Sequence, residues 1–294
     1  MKHALLLITL ISLSFCLHAQ EDDLLSLLNE EEETIYTTAA FKTSRVINLQ
    51  SLENAAAGVL DVKIGHRFGF LNTGAYELFG LDNATIRIGA DLGITDRLMV
   101  GFGRSSYEKT FDGFAKYKIL RQSTGKKTMP ISLSAFASAA VTTLKYADPD
   151  RENYFSSRMF YSFQLILGRK FSDGFSLQVS PTLVHRNLVA TADEQNDVFA
   201  VAIAARQKLT RRLSINAEYV YVLPDQILDT YTNSLSIGFD IETGGHVFQL
   251  HFTNSTSMIE KGFVTETTGD WLDGDIHFGF NISRVFTVWN RKPR

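Results

Sequence analysis

The chain has 294 residues, 45% hydrophobic, 21% charged and 12% aromatic, with 20 Gly, 5 Pro and one Cys. That composition excludes a disordered, collagen-like or disulfide-stapled protein, and a formal net charge of −3 excludes the basic footprint of a nucleic-acid binder. With no Pro/Ser linker, charge block or internal repeat after residue 58, one domain is expected beyond that point.

The N-terminus reads as a targeting segment. Lys2 and His3 precede an apolar run from Ala4 to Leu17, and small Ala19 follows, which is the layout of a secretory signal peptide cleaved between Ala19 and Gln20. The run is too short for a membrane-spanning helix, which needs about 20 apolar residues. Phe15 before Cys16 argues against a lipoprotein signal. Removing residues 1–19 takes away Lys2, Cys16 and no acid, so the mature chain is one charge more negative and offers neither a disulfide nor a thiolate site. Residues 20–58 stand apart as a periplasmic arm or a plug in a barrel mouth, with the arm the plainer expectation. Within them Asp22–Glu33 reads as a short amphipathic helix built on Leu24, Leu25, Leu27 and Leu28.

From Val59 onward, apolar residues fall on every second position in twelve windows, the period of strands with one greasy and one polar face. Leu60, Val62, Ile64 and Phe68 alternate with Asp61, Lys63, Gly65 and Arg67, and Ile86, Ile88, Ala90 and Leu92 with Arg87, Gly89, Asp91 and Gly93. The pattern recurs in Leu98–Phe102, Phe111–Leu120, Ile131–Thr142, Met159–Gly168, Phe175–Leu183, Val198–Arg206, Leu213–Leu223, Ser234–Glu242, His246–Thr253 and Asp275–Ser283. The greasier faces carry no Asp, Glu, Lys or Arg. A soluble sandwich also alternates, so connection lengths decide between the two architectures. Links after even-numbered strands are mostly tight, including Ile94–Arg97, Arg169–Gly174, Gln207–Arg212 and Thr243–Gly245, and those after odd-numbered strands are mostly long. Arg121–Pro130 and Gly103–Thr110 depart from this rule.

The expected fold class is therefore all-β: a transmembrane, antiparallel, up-and-down β-barrel of about 12 strands, with short periplasmic turns and longer extracellular loops. Such a barrel sits in the outer membrane of a Gram-negative bacterium, with outer-membrane lipid as its surroundings. Phe68, Phe102, Phe111, Phe175, Tyr219, Tyr221, Phe252 and Trp289 are candidates for interfacial girdles. Pro181 lacks a ladder donor and predicts a bulge or a rim position.

Seven motifs, in order, carry a family resemblance. Thr43–Asn48, Gly65–Gly69, Glu77–Asp82, Asp96–Gly101, Gly103–Ser106, Tyr117–Gln122 and Ser234–Asn254 resemble the β-barrel family of unknown function found in Bacteroidetes. The resemblance implies an outer-membrane barrel and brings no activity, cofactor or catalytic residues.

The polar face suggests how the lumen is used. Arg67, Arg87, Asp91, Lys116, Lys118, Glu218, Asp240 and His251 line it, and cross-strand pairing can satisfy their charges. Small residues on the same face, Ser132, Ser134, Ser138, Ala200, Ala202 and Ala204, leave space. A twelve-strand barrel is wider than the eight-strand kind that side chains fill, so a narrow pore or binding channel for a small polar solute is expected, with those eight residues setting charge selectivity. The alternative is a closed structural or partner-binding barrel whose lumen is shut by salt bridges, loops or residues 20–58.

An enzyme is not expected. His251-Phe252-Thr253-Asn254-Ser255 is similar to the His-x-Ser-Asn arrangement of outer-membrane phospholipases, but Thr253 stands where the nucleophilic Ser belongs. No cofactor or metal is expected either, since Asp275 with His277, and Asp240 with Glu242, share faces without a specific ligand spacing. Gly101-Phe102-Gly103 and Gly244-Gly245 read as strand and turn glycines, since no helix follows either to complete a phosphate loop.

Overall fold

A computed structural model describes residues 33–146 and 148–289. The signal segment and the Asp22–Glu33 helix, except Glu33, lie outside the described residues. The chain forms two compact units. The smaller contains a two-stranded antiparallel ribbon in which Thr34–Tyr36 pairs with Ser123–Gly125. This second strand lies in the Arg121–Pro130 connection, which explains why a turn expected to be tight is long. The larger unit, Thr37–Gln122 with Met129–Arg294, is the barrel.

Its twelve strands are β1 (Val59–Phe70), β2 (Ala84–Gly93), β3 (Leu98–Ser105), β4 (Thr110–Leu120), β5 (Ser132–Thr142), β6 (Met159–Lys170), β7 (Phe175–Arg186), β8 (Asp197–Lys208), β9 (Leu213–Val222), β10 (Leu235–Thr243), β11 (His246–Thr253) and β12 (His277–Thr287). Each pairs antiparallel with its sequence neighbours, and β12 pairs with β1 to close the ring. Closure leaves no sheet edge, which is what allows a sheet to sit in lipid with every ladder group paired. Among the described residues no helix is long and apolar enough to cross a membrane.

Alternation fixes the two faces. Ile88, Phe102, Phe163, Leu165, Phe199 and Leu250 are exposed on the outer wall, while their strand neighbours Arg87, Asp91, Gln164, Ala200 and Gln249 are buried inside. A one-residue slip would exchange these sets, so the greasy face specifies the register. Around the β11–β12–β1 seam the outer wall is aromatic. His66 stacks on Phe280 with ring centroids 4.9 Å apart, and Phe68 and Phe252 pack against Phe278 at 5.8 and 5.6 Å. His66, a polar exception on the greasy face, is thus accommodated by ring stacking.

Pro181 corrects the expectation of a bulge or rim. It sits in the middle of β7, facing outward, and the register with β8 continues through it as Val201↔Pro181. Toward β6 the ladder is interrupted between Gln164↔Thr182 and Leu167↔Val179, yet the register does not shift. The missing N–H is absorbed as a gap in one ladder. Bulges occur instead between His277 and Gly279 and between Lys118 and Leu120. Pro181→Val restores a donor on a β-favourable, lipid-facing side chain, and should stabilise the barrel by about 1 kcal/mol. Denaturant unfolding of the refolded variant, with an unchanged or lower midpoint, would refute this.

Loops also depart from pure alternation. The Asn254–Ile276 connection contains a short helix, α1 (Glu260–Thr265), and all six of its residues are buried. Six residues are too few for a helical period to emerge from the sequence.

Candidate functional site: the filled lumen

The interior is occupied by two segments of the chain itself. The first is a β-hairpin over residues 44–51. Ser51 N–H donates to Ser44 C=O at 2.9 Å, Val46 N–H donates to Leu49 C=O at 2.7 Å, and Arg45 bridges Gln50. Phe41, Val46, Ile47, Leu49 and Leu52 are buried, as are Ser44, Asn48, Gln50 and Ser51. The expected arm or plug is, over these residues, a segment inside the barrel.

Barrel side chains supply what the hairpin's tip lacks. The Glu218 carboxylate on β9 accepts from three successive amides, Ile47 (3.1 Å), Asn48 (2.8 Å) and Leu49 (3.0 Å). Gln249 on β11 donates to Val46 C=O, and Asn281 on β12 donates to Ile47 C=O at 3.1 Å. Buried backbone groups must find partners, and here the wall provides them. At the other end of the hairpin, Lys116 on β4 is fully buried and donates to the carbonyls of Ser44 (3.1 Å), Ser51 (3.0 Å) and Glu53 (2.7 Å). Gln178 on β7 donates to Gln50 C=O at 2.7 Å.

The other expected lumen residues fall around this seat. Arg67 donates to Asn48 Oδ1 at 2.8 Å and to Asn281 Oδ1 at 3.1 Å. Asp91 accepts from Ser44 Oγ at 2.7 Å and pairs with Lys63, which also faces Asp61 at 3.3 Å. Lys118 approaches Glu53 at 3.6 Å. Arg87 and Asp240 lie one step out: Arg87 makes a bidentate pair with Asp112, its Nε 2.9 Å from Oδ1, and Asp240 accepts from Gln249 at 2.7 Å.

The Arg87–Asp112 pair is not between adjacent strands. Arg87 is on β2 and Asp112 on β4, and the guanidinium crosses β3 over Gly103, where an added Cβ would lie 2.3 Å from Nη2. Gly101 makes the same kind of room for the Phe114 ring. The two glycines are strand residues, and their service is to let long side chains lie flat across the lumen wall.

His251 is placed differently from its neighbours. It is buried between Gly238 and Gly279 on the flanking strands, and neither ring nitrogen has a hydrogen-bond partner. Thr253 Oγ1 instead pairs with Ser236 Oγ at 2.8 Å, so no base–nucleophile hydrogen bond joins His251 to Thr253. Among the described residues, no group of three His, Cys, Asp or Glu is placed to hold a metal.

The second lumen segment is α1 with its flanks. It packs against β6, β7 and β9. Lys261 reaches Glu266 at 2.5 Å and Glu108 at 3.0 Å, and its ammonium lies 4.6 Å from the Phe160 ring centre. Burial alone would lower the Lys261 pKa, but Glu266 and Glu108 outweigh it and raise it. Phe263 and Val264 join Phe41, Val46, Leu49, Leu52, Met99, Phe114 and Phe136 in one apolar cluster. Ala200, Ala202 and Ala204 belong to it too. The space that small lumen residues leave is therefore taken up by the hairpin and α1.

Gln178, Gln249 and Asn281 are not among the lumen candidates that the sequence offers, and Lys63 and the Thr43–Asn48 motif carry no lumen role there, whereas Glu218, Lys116, Arg67 and Asp91 do. Amides on the polar face were the available signal for the first three. An apolar group, Phe41, Val46, Ile47, Leu49 and Leu52, ahead of the first strand was the signal for the hairpin, because an exposed arm has no use for it.

No curated protein matches the chain. Its fold is similar to that of the NanC porin, at TM-score 0.48 and 8% identity, covering 78% of this chain and 98% of that one. It is similar to the COG4313 outer membrane channel from Pseudomonas putida F1, at TM-score 0.43 and 12% identity, covering 80% and 97%. It is also similar to the outer membrane protein Omp33 of Acinetobacter baumannii, at TM-score 0.41 and 11% identity, covering 77% and 97%. The family described as "Membrane bound beta barrel domain (DUF5777)" matches residues 41–286, a span that takes in the lumen hairpin and reaches into the last strand, and the chain belongs to that family.

Proposed function

We propose that this outer-membrane barrel is a gated channel for small polar solutes, drawn here in its closed state. The observation that carries the reading is the character of the hairpin's seat. A permanent filler is made most cheaply from apolar side chains, since every buried charge carries a desolvation penalty of several kcal/mol. This hairpin is held at its tip by the Glu218 carboxylate and at its base by the Lys116 ammonium, both fixed to the wall. Polar seats of this kind can exchange their protein partners for water when the segment leaves. Once it has left, Arg67, Arg87, Asp91, Lys116, Lys118, Glu218, Asp240 and His251 face the pathway as a mixed-charge lining.

A second reading is a closed scaffold, and the apolar cluster that joins Phe41, Val46, Leu49 and Leu52 to Phe263 favours it. Single-channel recording in a planar bilayer separates the two, using the refolded chain with and without residues 20–58. Conductance in the shortened chain, with brief or absent openings in the full chain, is the expected result. Silence in both would overturn the channel and leave the scaffold.

A further inference from the structure

Between the hairpin and strands β1, β2, β11 and β12 lies a cavity of about 40 Å³ whose lining includes Arg45, Lys63, Arg67 and Arg87 and contains no Asp or Glu. We propose that this cavity is a binding site for one small monovalent anion of the halide class, chloride being the one a cell envelope supplies. The inference is independent of whether the barrel conducts.

The charges around the cavity are unevenly matched. Lys63 has Asp91 and Asp61, and Arg87 has Asp112. Arg45 reaches Glu260 only at 3.4 Å, and its Nε and second Nη have no acceptor. Arg67 is 1% exposed, and among the described residues no carboxylate comes within ion-pair distance of it. Its Nη groups meet only neutral oxygens, of Asn48, Asn281 and the His66 backbone, and its Nε has no acceptor. A guanidinium cannot shed its proton to escape burial as an amine or imidazole can. Glu218 acts on Arg67 only through space, its oxygens being committed to three hairpin amides, so the orphaned N–H groups of both arginines still call for an anionic acceptor on the acid-free side.

Size and surroundings narrow the class. A single water needs roughly 10–15 Å³ of such space, so the cavity has room for about three water-sized groups, enough for one small anion with a water or two and too little for a large organic acid. Ile64, Val247, Met258 and Ile282 also line it. A halide accepts hydrogen bonds from any direction and tolerates apolar neighbours, whereas water in the same place brings no negative charge to four cationic side chains. Since Arg67 also holds Asn48, an ion here helps to seat the hairpin.

The test uses the full chain refolded in detergent with sodium bromide and crystallised from it. An anomalous bromide peak in the cavity, beside Arg67 and Arg45, is expected. In parallel, the heat-unfolding midpoint should rise by several degrees, saturably, when chloride or bromide replaces gluconate at constant ionic strength. Arg67→Met should abolish that dependence, and Arg45→Met should weaken it if the first variant does not refold. A cavity without bromide, a peak seen only at molar bromide with no shift in midpoint, or a midpoint indifferent to halide would each overturn the site.

Discussion

Glu218→Leu is expected to expel the hairpin from the lumen. The substitution leaves three buried amides, those of Ile47, Asn48 and Leu49, without an acceptor. Each unsatisfied group costs about 1–3 kcal/mol, so the seat loses on the order of 3–9 kcal/mol, comparable with the whole stability of many domains. The chain can avoid this by letting the hairpin leave and hydrate, because the ladder bonds of the barrel do not depend on it. Trypsin cleavage at Lys42 and Arg45 should appear while the barrel stays folded, and bilayer recordings should show openings that the native chain lacks. Glu218→Gln keeps one oxygen acceptor and should behave in between. A Glu218→Leu barrel that is folded, silent and resistant at both sites would contradict the role given to this carboxylate.

Gly103→Val should destabilise the barrel by about 3–5 kcal/mol, the scale for breaking a buried ion pair by displacing one member. The new Cβ would occupy the path by which Arg87 reaches Asp112 across β3. The guanidinium then loses its hydrogen-bonded carboxylate and keeps only the through-space pull of Asp91 and Glu260, and Asp112 is left charged and buried. Strand propensity would predict the opposite sign, since Val is favoured over Gly in a strand. Denaturant unfolding of the refolded barrel, read by its shift in gel mobility, distinguishes the two. In a chain that already carries Arg87→Met and Asp112→Leu, the added Gly103→Val should cost far less, because the conflict it creates has been removed beforehand. An unchanged midpoint for Gly103→Val alone would refute the crossing pair.

The strands were legible because lipid imposes a uniform demand on one face. Within the strands, every second residue had to be compatible with hydrocarbon, and a period of two over twelve windows is hard to mistake. The lumen imposes no such uniform demand. Its face alternates among charges, amides, alanines and rings, many matched to a particular partner, such as Lys116 to the carbonyls of residues 44, 51 and 53. The Thr43–Asn48 motif was noticed as a resemblance, yet its conformation depends on Glu218, Gln249 and Asn281, which lie in the last third of the chain. No local pattern encodes a turn whose hydrogen bonds are made by distant strands. The same holds for Arg87: cross-strand pairing implies a partner on an adjacent strand, and Asp112 lies one strand further.

The hairpin's position ahead of β1 bears on the order in which the barrel assembles. Closing a chain loop costs entropy that grows with the logarithm of its length. Lys116 lies 72 residues from Ser44, whereas Glu218 is 171 from Ile47, Gln249 is 203 from Val46 and Asn281 is 234 from Ile47. Shorter still are the loops to β1 and β2, with Arg67 19 residues from Asn48 and Asp91 47 from Ser44, so contacts with β1, β2 and β4 form at modest entropic cost and those with β9, β11 and β12 follow as the later strands arrive. The growing sheet curls around a segment already attached to its early wall, and the β12–β1 seam zips last over a core that was present from the start.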